Sequence, residues 1–223
     1  MKISGAIIDL DDTLVSSEWV WDGIPEKFLR RHGKTPEPGL DAKLVKLNTA
    51  QIGEYFKENY FHDSRRSAKS IIWEFGLMGA PYYFFKVPLK PGAKGLCKQL
   101  HEQGVKLMVL TANEKTLVRA AMRRTGILKY FDVILFGSDP ENAKDNPKAF
   151  ENARKVLGTP KEETVVFEDS LYAVRTARSA GFPCIVMLGE KHTPEEVEEF
   201  RQLTEFAVTD FHDILGELEG PNA

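Results

Sequence analysis

Asp9, Asp11 and Asp12 crowd together near the start of the chain, and Thr13 follows at once. The stretch before them, residues 3–10, is an apolar run rich in isoleucine, the pattern of a strand buried on both faces. Side chains alternate along a strand, so Asp9 and Asp11 project to one side. Two carboxylates at the end of a buried strand repel each other and are costly to desolvate. A hard divalent cation with oxygen ligands is the simplest compensation. The bland reading of the same residues is a polar turn, because short acidic motifs recur by chance.

Polar groups end other apolar runs too. Residues 105–110 run into Thr111-Ala112-Asn113, and 164–167 into Glu168-Asp169-Ser170. Residues 133–136 lead to Gly137-Ser138-Asp139, 184–188 read as a fifth strand, and 206–208 as a short sixth. Helical patterns lie between them at 91–103, 114–125, 147–157 and 171–180, each closed by a glycine, as suits a helix C-terminus. Asn113 stands where it can cap the helix at 114–125. Thr193 to Glu196 is a capping box opening an acidic helix. Strands alternating with helices predict a parallel sheet covered on both faces. In such sheets ligands bind beyond the carboxyl ends of the strands. The tips at Asp9-Asp11, Thr111-Asn113 and Glu168-Asp169 then share one edge, which points to a metal site beside an anion site.

Residues 17–85 interrupt this alternation. They carry helical patterns at 22–32, 40–59 and 63–79, with Asp22 as the first cap, Pro25 in the first turn and a loop at 35–39. Tyr55, Phe56, Tyr60, Phe61, Trp73, Phe75 and 82–85 supply aromatics; Arg65, Arg66 and Lys69 supply charge. This reads as a small helical bundle with an aromatic core and a solvated basic face. Gly79-Ala80-Pro81 and residues 88–92 read as a hinge. The expected organisation is a core of 1–16 and 86–223 with an inserted helical domain at 17–85.

Composition narrows the classes. The chain has 223 residues, 42% hydrophobic and 28% charged, values that suit a globular domain with an insertion. A net charge of -3 gives no basic surface for nucleic acid. No apolar run approaches the roughly 20 residues that span a bilayer, and the opening stretch lacks a signal peptide's layout. Cys97 and Cys184 sit in apolar segments, as free thiols in a reducing cytoplasm do.

In order and context, Asp9-Leu10-Asp11-Asp12-Thr13, Thr111, Lys144 and Glu168-Asp169 make the chain resemble the haloacid dehalogenase superfamily of phosphotransferases. The likeness is to the helical-cap branch of phosphoglycolate phosphatases and β-phosphoglucomutases. The lysine motif departs from the family's usual form: Lys144-Asp145-Asn146-Pro147 has Asp145 where a proline is common, and Lys148 competes with Lys144. The resemblance implies an α/β fold, a Rossmann-like parallel sheet with an α-helical cap. It implies a phosphohydrolase for a small phosphorylated metabolite, in which Asp9 attacks phosphorus and forms an aspartyl-phosphate. Asp11 would act as general acid and then base. Mg²⁺ would be held by Asp9, the Asp11 backbone carbonyl and Asp169, with Glu168 and Thr13 beside them. Thr111, Lys144 and Asn113 would hold phosphate oxygens, unless Asn113 only caps its helix. The helical insertion would close over the site and choose the substrate. A monomer or small homo-oligomer is expected, with neither nucleic acid nor membrane as partner. Asp11 argues against dehalogenation, for which relatives lack this aspartate. Mutases carry a histidine soon after the first motif, and residues 17–21 have none. Phosphonate-cleaving relatives use a lysine near the start of the cap, where Lys27 and Lys34 are the nearest. A mutase, and a non-catalytic phosphate- or metal-binding protein on the same fold, remain the alternatives.

Overall fold

The computed structural model describes residues 1–44, 47, 49–137 and 140–223. Val45, Lys46 and Asn48, within the helical pattern at 40–59, and Ser138 and Asp139, after the third strand, lie outside the described residues. The elements begin with β1 (Gly5–Ile8), α1 (Glu18–Trp21), α2 (Ile24–Arg31), α3 (Leu40–Leu44), α4 (Thr49–Tyr60) and α5 (Ala68–Phe85). They continue with α6 (Ala93–Glu102), β2 (Lys106–Thr111), α7 (Lys115–Thr125), β3 (Val133–Phe136), α8 (Pro147–Leu157) and β4 (Thr164–Glu168). Last come α9 (Leu171–Ser179), β5 (Cys184–Met187), α10 (Pro194–Leu203) and β6 (Phe206–Val208). They form two compact units, one of Met1–Ser16 with Pro88–Ala223 and one of Ser17–Val87.

The first unit is built on a 6-stranded sheet of order β3-β2-β1-β4-β5-β6, with every pairing parallel. This is the Rossmann-like α/β architecture that the apolar runs predict. β1, β4 and β5 are buried along their whole length, which explains their uninterrupted apolar sequence. One face packs Ile7, Met108 and Val166 against Phe150, Val174 and Phe182. Phe150 comes from α8, which lies against β1 and β2, and Val174 from α9, which lies against β4 and β5. On the other face the Phe167 ring meets Phe211, 6.2 Å between centroids. The chain leaves β1 towards β2 and β3 on one side and returns to β4, β5 and β6 on the other. The switch of direction lies at the carboxyl end of β1, where such sheets open a ligand crevice.

The segments that leave and re-enter this unit run side by side. Val15 and Leu89 form an antiparallel bridge. Ser16 N–H donates to Pro88 O at 2.9 Å, and Lys90 N–H to Leu14 O at 2.9 Å.

The second unit is helical, α1 to α5. Phe28 lies at its centre, with ring centroids 6.0 Å from Phe56, 5.5 Å from Phe61 and 4.9 Å from Phe75. Several local expectations change here. The cap of α2 is Gly23 in the left-handed region (φ 69°), and Asp22 instead closes the short α1. α5 starts at a Ser67–Ser70 capping box and runs through Gly79 and Pro81, so that stretch is helix interior and not a hinge. Pro81 lies on an exposed face of this helix. Gly79 is there for space: a Cβ at this position would lie 3.1 Å from the Trp21 ring. Arg66 is not a solvated charge. Its Nη1 donates to Glu74 at 2.8 Å and its guanidinium lies 5.6 Å from the Phe61 ring centroid. Among the described residues no helix is long and apolar enough to cross a membrane.

Candidate active site

Continuing the β1 register by one residue sets Asp9 level with Leu110 on β2 and Glu168 on β4. The Asp9 N–H donates to Phe167 O at 2.9 Å, so its backbone is fixed by the ladder. Alternation puts its side chain on the face of Ile7, where α8 packs. Lys144 sits just ahead of α8, whose cap Asn146 accepts the Lys148 N–H at 3.0 Å. From there the Lys144 Nζ reaches 2.6 Å from Asp9 Oδ1 and also donates to Glu168 Oε1. All three side chains are buried, whereas Lys148 is exposed. Lys144, and not its competitor, is therefore the lysine at the acidic tips.

The other oxygen of Glu168 holds the loop that follows β4. Oε2 accepts from Asp169 N and Ser170 N, each at 2.9 Å, and from Ser170 Oγ at 2.8 Å. Thr13 Oγ1 donates to Asp169 Oδ1 at 3.2 Å, which ties the β1 tip to the β4 tip. Asn113 ties the β1 tip to the β2 tip, because its Nδ2 donates to Asp11 Oδ2 at 2.8 Å. The Asn113 N–H donates to Thr111 Oγ1 at 3.1 Å, leaving the buried Thr111 hydroxyl its own proton to donate. Asn113 does not cap α7: the cap position is Glu114, and no side chain closes that end. Asp12 sits beside Lys90 at 3.8 Å and takes a left-handed conformation (φ 58°). Asp9, Asp11, Thr13, Thr111, Asn113, Lys144, Glu168 and Asp169 thus gather on this edge.

The charges do not balance. Burial pushes the Asp9 carboxyl well above its ordinary pKa, with Glu168 and Asp11 adding to the rise against Lys144. Burial does the same to Asp169, reinforced by Glu168 and Asp9. Burial also raises Glu168, but Lys144 and the Ser170 donors outweigh it and hold the group below the usual range. For Lys144, desolvation opposes the ammonium, yet Asp9 and Glu168 outweigh it and raise the pKa. One ammonium is shared between two carboxylates while a third remains strained beside them.

This donor set fits a hard cation. Asp9 and Asp169 offer oxygen donors whose charge is disfavoured until something positive arrives. Among the described residues no group of three or more His, Cys, Asp or Glu side chains gathers into a metal cage. The fitting set is instead the two carboxylates with the Asp11 carbonyl, since the Asp11 side chain is engaged by Asn113.

The sequence assigns no role to two nearby groups. Ser170 supplies two of the bonds that fix Glu168. Tyr172, on the first turn of α9, is 43% exposed but lies within the field of Lys144, Glu168, Asp9 and Asp169, and partial desolvation raises its phenol pKa.

Residues 3–181 match the family model described as haloacid dehalogenase-like hydrolase. The chain is 27% identical over 201 residues to pyrophosphatase PpaX of Halalkalibacterium halodurans, covering 84% of each chain. It is 28% identical over 186 residues to phosphoglycolate phosphatase of Neisseria meningitidis, covering 80% of this chain and 77% of that one. Among solved structures, CbbY of Rhodobacter sphaeroides in complex with xylulose-(1,5)-bisphosphate superposes with a TM-score of 0.81. It has 23% identity and covers 95% of this chain and 96% of its own.

Proposed function

The chain belongs to the haloacid dehalogenase-like hydrolases and is a phosphatase of that family, and on that premise we propose that it hydrolyses a small phosphate monoester through an aspartyl-phosphate on Asp9. The observation that carries this reading is the shared Lys144. Its ammonium lies 2.6 Å from Asp9 Oδ1 and also binds Glu168, so positive charge waits where a phosphoryl group would meet the nucleophile.

The chain's own groups are sufficient for a balanced reaction. An Asp9 oxygen attacks phosphorus, the bond from phosphorus to the ester oxygen breaks, and the leaving oxygen takes a proton from the Asp11 carboxyl. Water then attacks the phosphorus of the aspartyl-phosphate. Asp11, now a carboxylate, takes the proton from that water. The bond to the Asp9 oxygen breaks, releasing inorganic phosphate and restoring the carboxylate. Thr111, donating its free proton, and Lys144 hold the non-bridging oxygens during both steps. Asp9, the Asp11 carbonyl and Asp169 would hold Mg²⁺. Bound there, the metal supplies charge neutralisation that lets an anionic nucleophile approach an anionic substrate. Glu168 keeps the Asp169 loop and Lys144 in place.

The helical unit of Ser17–Val87 acts as the cap that selects the alcohol portion of the substrate and shields the reaction from water. Pyrophosphate and phosphoglycolate, on which the named relatives act, head the list of substrates to try. The two free buried cysteines suit a reducing, cytoplasmic setting. The test is a panel of sugar phosphates, polyol phosphates, phosphoglycolate, nucleotides and pyrophosphate, each with Mg²⁺ and with chelator. Mg²⁺-dependent release of phosphate from a monoester is the expected result. Absence of release from every compound, or equal rates with chelator, overturns the reading.

A further inference from the structure

Asn113 is anchored at both ends of its amide. Its Oδ1 accepts the Glu114 N–H at 2.7 Å, and its Nδ2 donates to Asp11 Oδ2 at 2.8 Å. These partners fix which end is oxygen and which is nitrogen, because an N–H on one side and a carboxylate on the other permit only this orientation. Its backbone N–H is committed to Thr111 Oγ1. The residue is therefore a rigid strut between the β2 tip and the β1 tip, and its side chain reaches Asp11 and not a position of its own in the anion cradle.

We infer that Asn113 is a positioning residue that decides which oxygen of Asp11 serves the leaving group. This rests on the acid–base role given to Asp11 above. An N–H aimed at Oδ2 requires an acceptor there. A hydroxyl oxygen accepts far more weakly than a carbonyl oxygen, so the Asn113 bond favours the acid form with the proton on Oδ1. In the first step Oδ1–H then passes its proton to the departing ester oxygen as the bond from phosphorus to that oxygen breaks. Oδ2 keeps its bond to Asn113 throughout. Without the strut the bond that fixes Oδ2 is lost, and a smaller share of the population presents the proton to the leaving oxygen.

A residue that binds phosphate and a residue that aims the acid differ in one measurable respect. Loss of a phosphate contact slows all esters alike. Loss of an aimed acid hurts esters whose leaving oxygen needs a proton, such as alkyl phosphates, and largely spares p-nitrophenyl phosphate, whose leaving group departs as a stable anion. The experiment compares kcat/KM, which reports steps up to loss of the leaving group, for both ester types. It uses the full chain carrying Asn113→Ala, and Asn113→Leu, which keeps most of the volume without a donor. Circular dichroism and Tm establish which variants fold, and folded variants are read.

The expected result is a fall on both esters, with the alkyl ester losing at least about tenfold more, within the range that general acid catalysis contributes. Equal losses on the two esters, or no loss on either, overturn the inference. The parent enzyme separates this from the wider reading: if it hydrolyses neither ester type, the phosphatase mechanism itself fails. A parent that hydrolyses both, with variants that lose them equally, removes only the role of Asn113.

Discussion

Each unit holds a cluster of ionic side chains, partly buried in the helical unit and buried at the sheet edge, and the two clusters differ in charge balance. In the helical unit Glu74 takes one donor on each oxygen, Arg66 Nη1 at 2.8 Å and His32 Nε2 at 2.7 Å. Arg66 Nη2 closes the triangle 3.3 Å from His32 Nδ1. Burial pushes the Glu74 carboxyl up, but Arg66 and His32 outweigh it and hold the pKa below the ordinary range. One carboxylate meets one guanidinium, and folding finishes the cluster. At the sheet edge Lys144 is divided between Asp9 and Glu168, while Asp169 meets the neutral hydroxyl of Thr13. Asp9 and Asp169 rise where Glu74 falls. The lesson is that a balanced cluster is finished by folding, whereas an unbalanced one keeps excess negative charge, which the proposed cation and phosphoryl group would meet.

The sharpest way to break this contrast is Asp9→Asn. Turnover is expected to fall by at least roughly a thousandfold while thermal unfolding stays cooperative. A variant within tenfold of the parent would place the nucleophile elsewhere.

Chelation comes next, with an expected loss of about a hundredfold or more in rate. The same cation should raise Tm, because it binds the folded carboxylates; at about 100 times its Kd the gain is roughly 2.7 kcal/mol. The sign with pH follows from the raised pKa values of Asp9 and Asp169. In metal-free protein their folded forms hold protons that the unfolded chain has released, so stability drops as pH rises through the folded pKa values. The Tm gain on adding Mg²⁺ should therefore grow from about pH 4 towards neutrality. A gain that shrinks over that interval contradicts the assignment.

Lys144→Met removes the one shared cation. About 3 kcal/mol of stability should be lost at neutral pH, and less in acid, where the abandoned carboxylates take up protons. Denaturant midpoints at two pH values measure it, and equal losses at both would mean that Lys144 acts by packing alone.

The smallest effect belongs to the balanced cluster. Glu74→Ala should cost about 1–2 kcal/mol, discounted for partial exposure, yet leave turnover of a minimal aryl phosphate within about twofold. The lowered Glu74 pKa means that this contribution is present above the unfolded pKa and is lost as pH falls through the folded value. A large fall in aryl phosphate turnover would erase the distinction between the two clusters.

What was legible from sequence follows the range of the forces. β1, β4 and the buried part of β2 after Lys106 announce themselves because a strand buried on both faces is largely apolar, and their polar ends stand out against that background. Lys144 was legible through its relation to Pro147 and the helix that follows. Asn113 was not: cap and strut look alike in sequence, and the choice depends on Asp11, 102 residues away. Arg66 reads as solvated in sequence because its partners, Glu74 and the Phe61 ring, reach it only through the packing of the helical unit. Gly79 and Pro81 looked like breakers because their reasons, the Trp21 ring and an exposed helix face, are tertiary.

The bridge between Val15 and Leu89 has an evolutionary consequence. Because the two segments are hydrogen-bonded neighbours, any replacement for 17–87 has to cross only one strand spacing, about 4.8 Å. A tight turn, a longer helical bundle or a foreign module would each begin and end at the same doorway. The entropy of closing such a detour grows only logarithmically with its length. Insertions of very different length can thus enter and leave the sheet unit at this point without disturbing β1 or its tip.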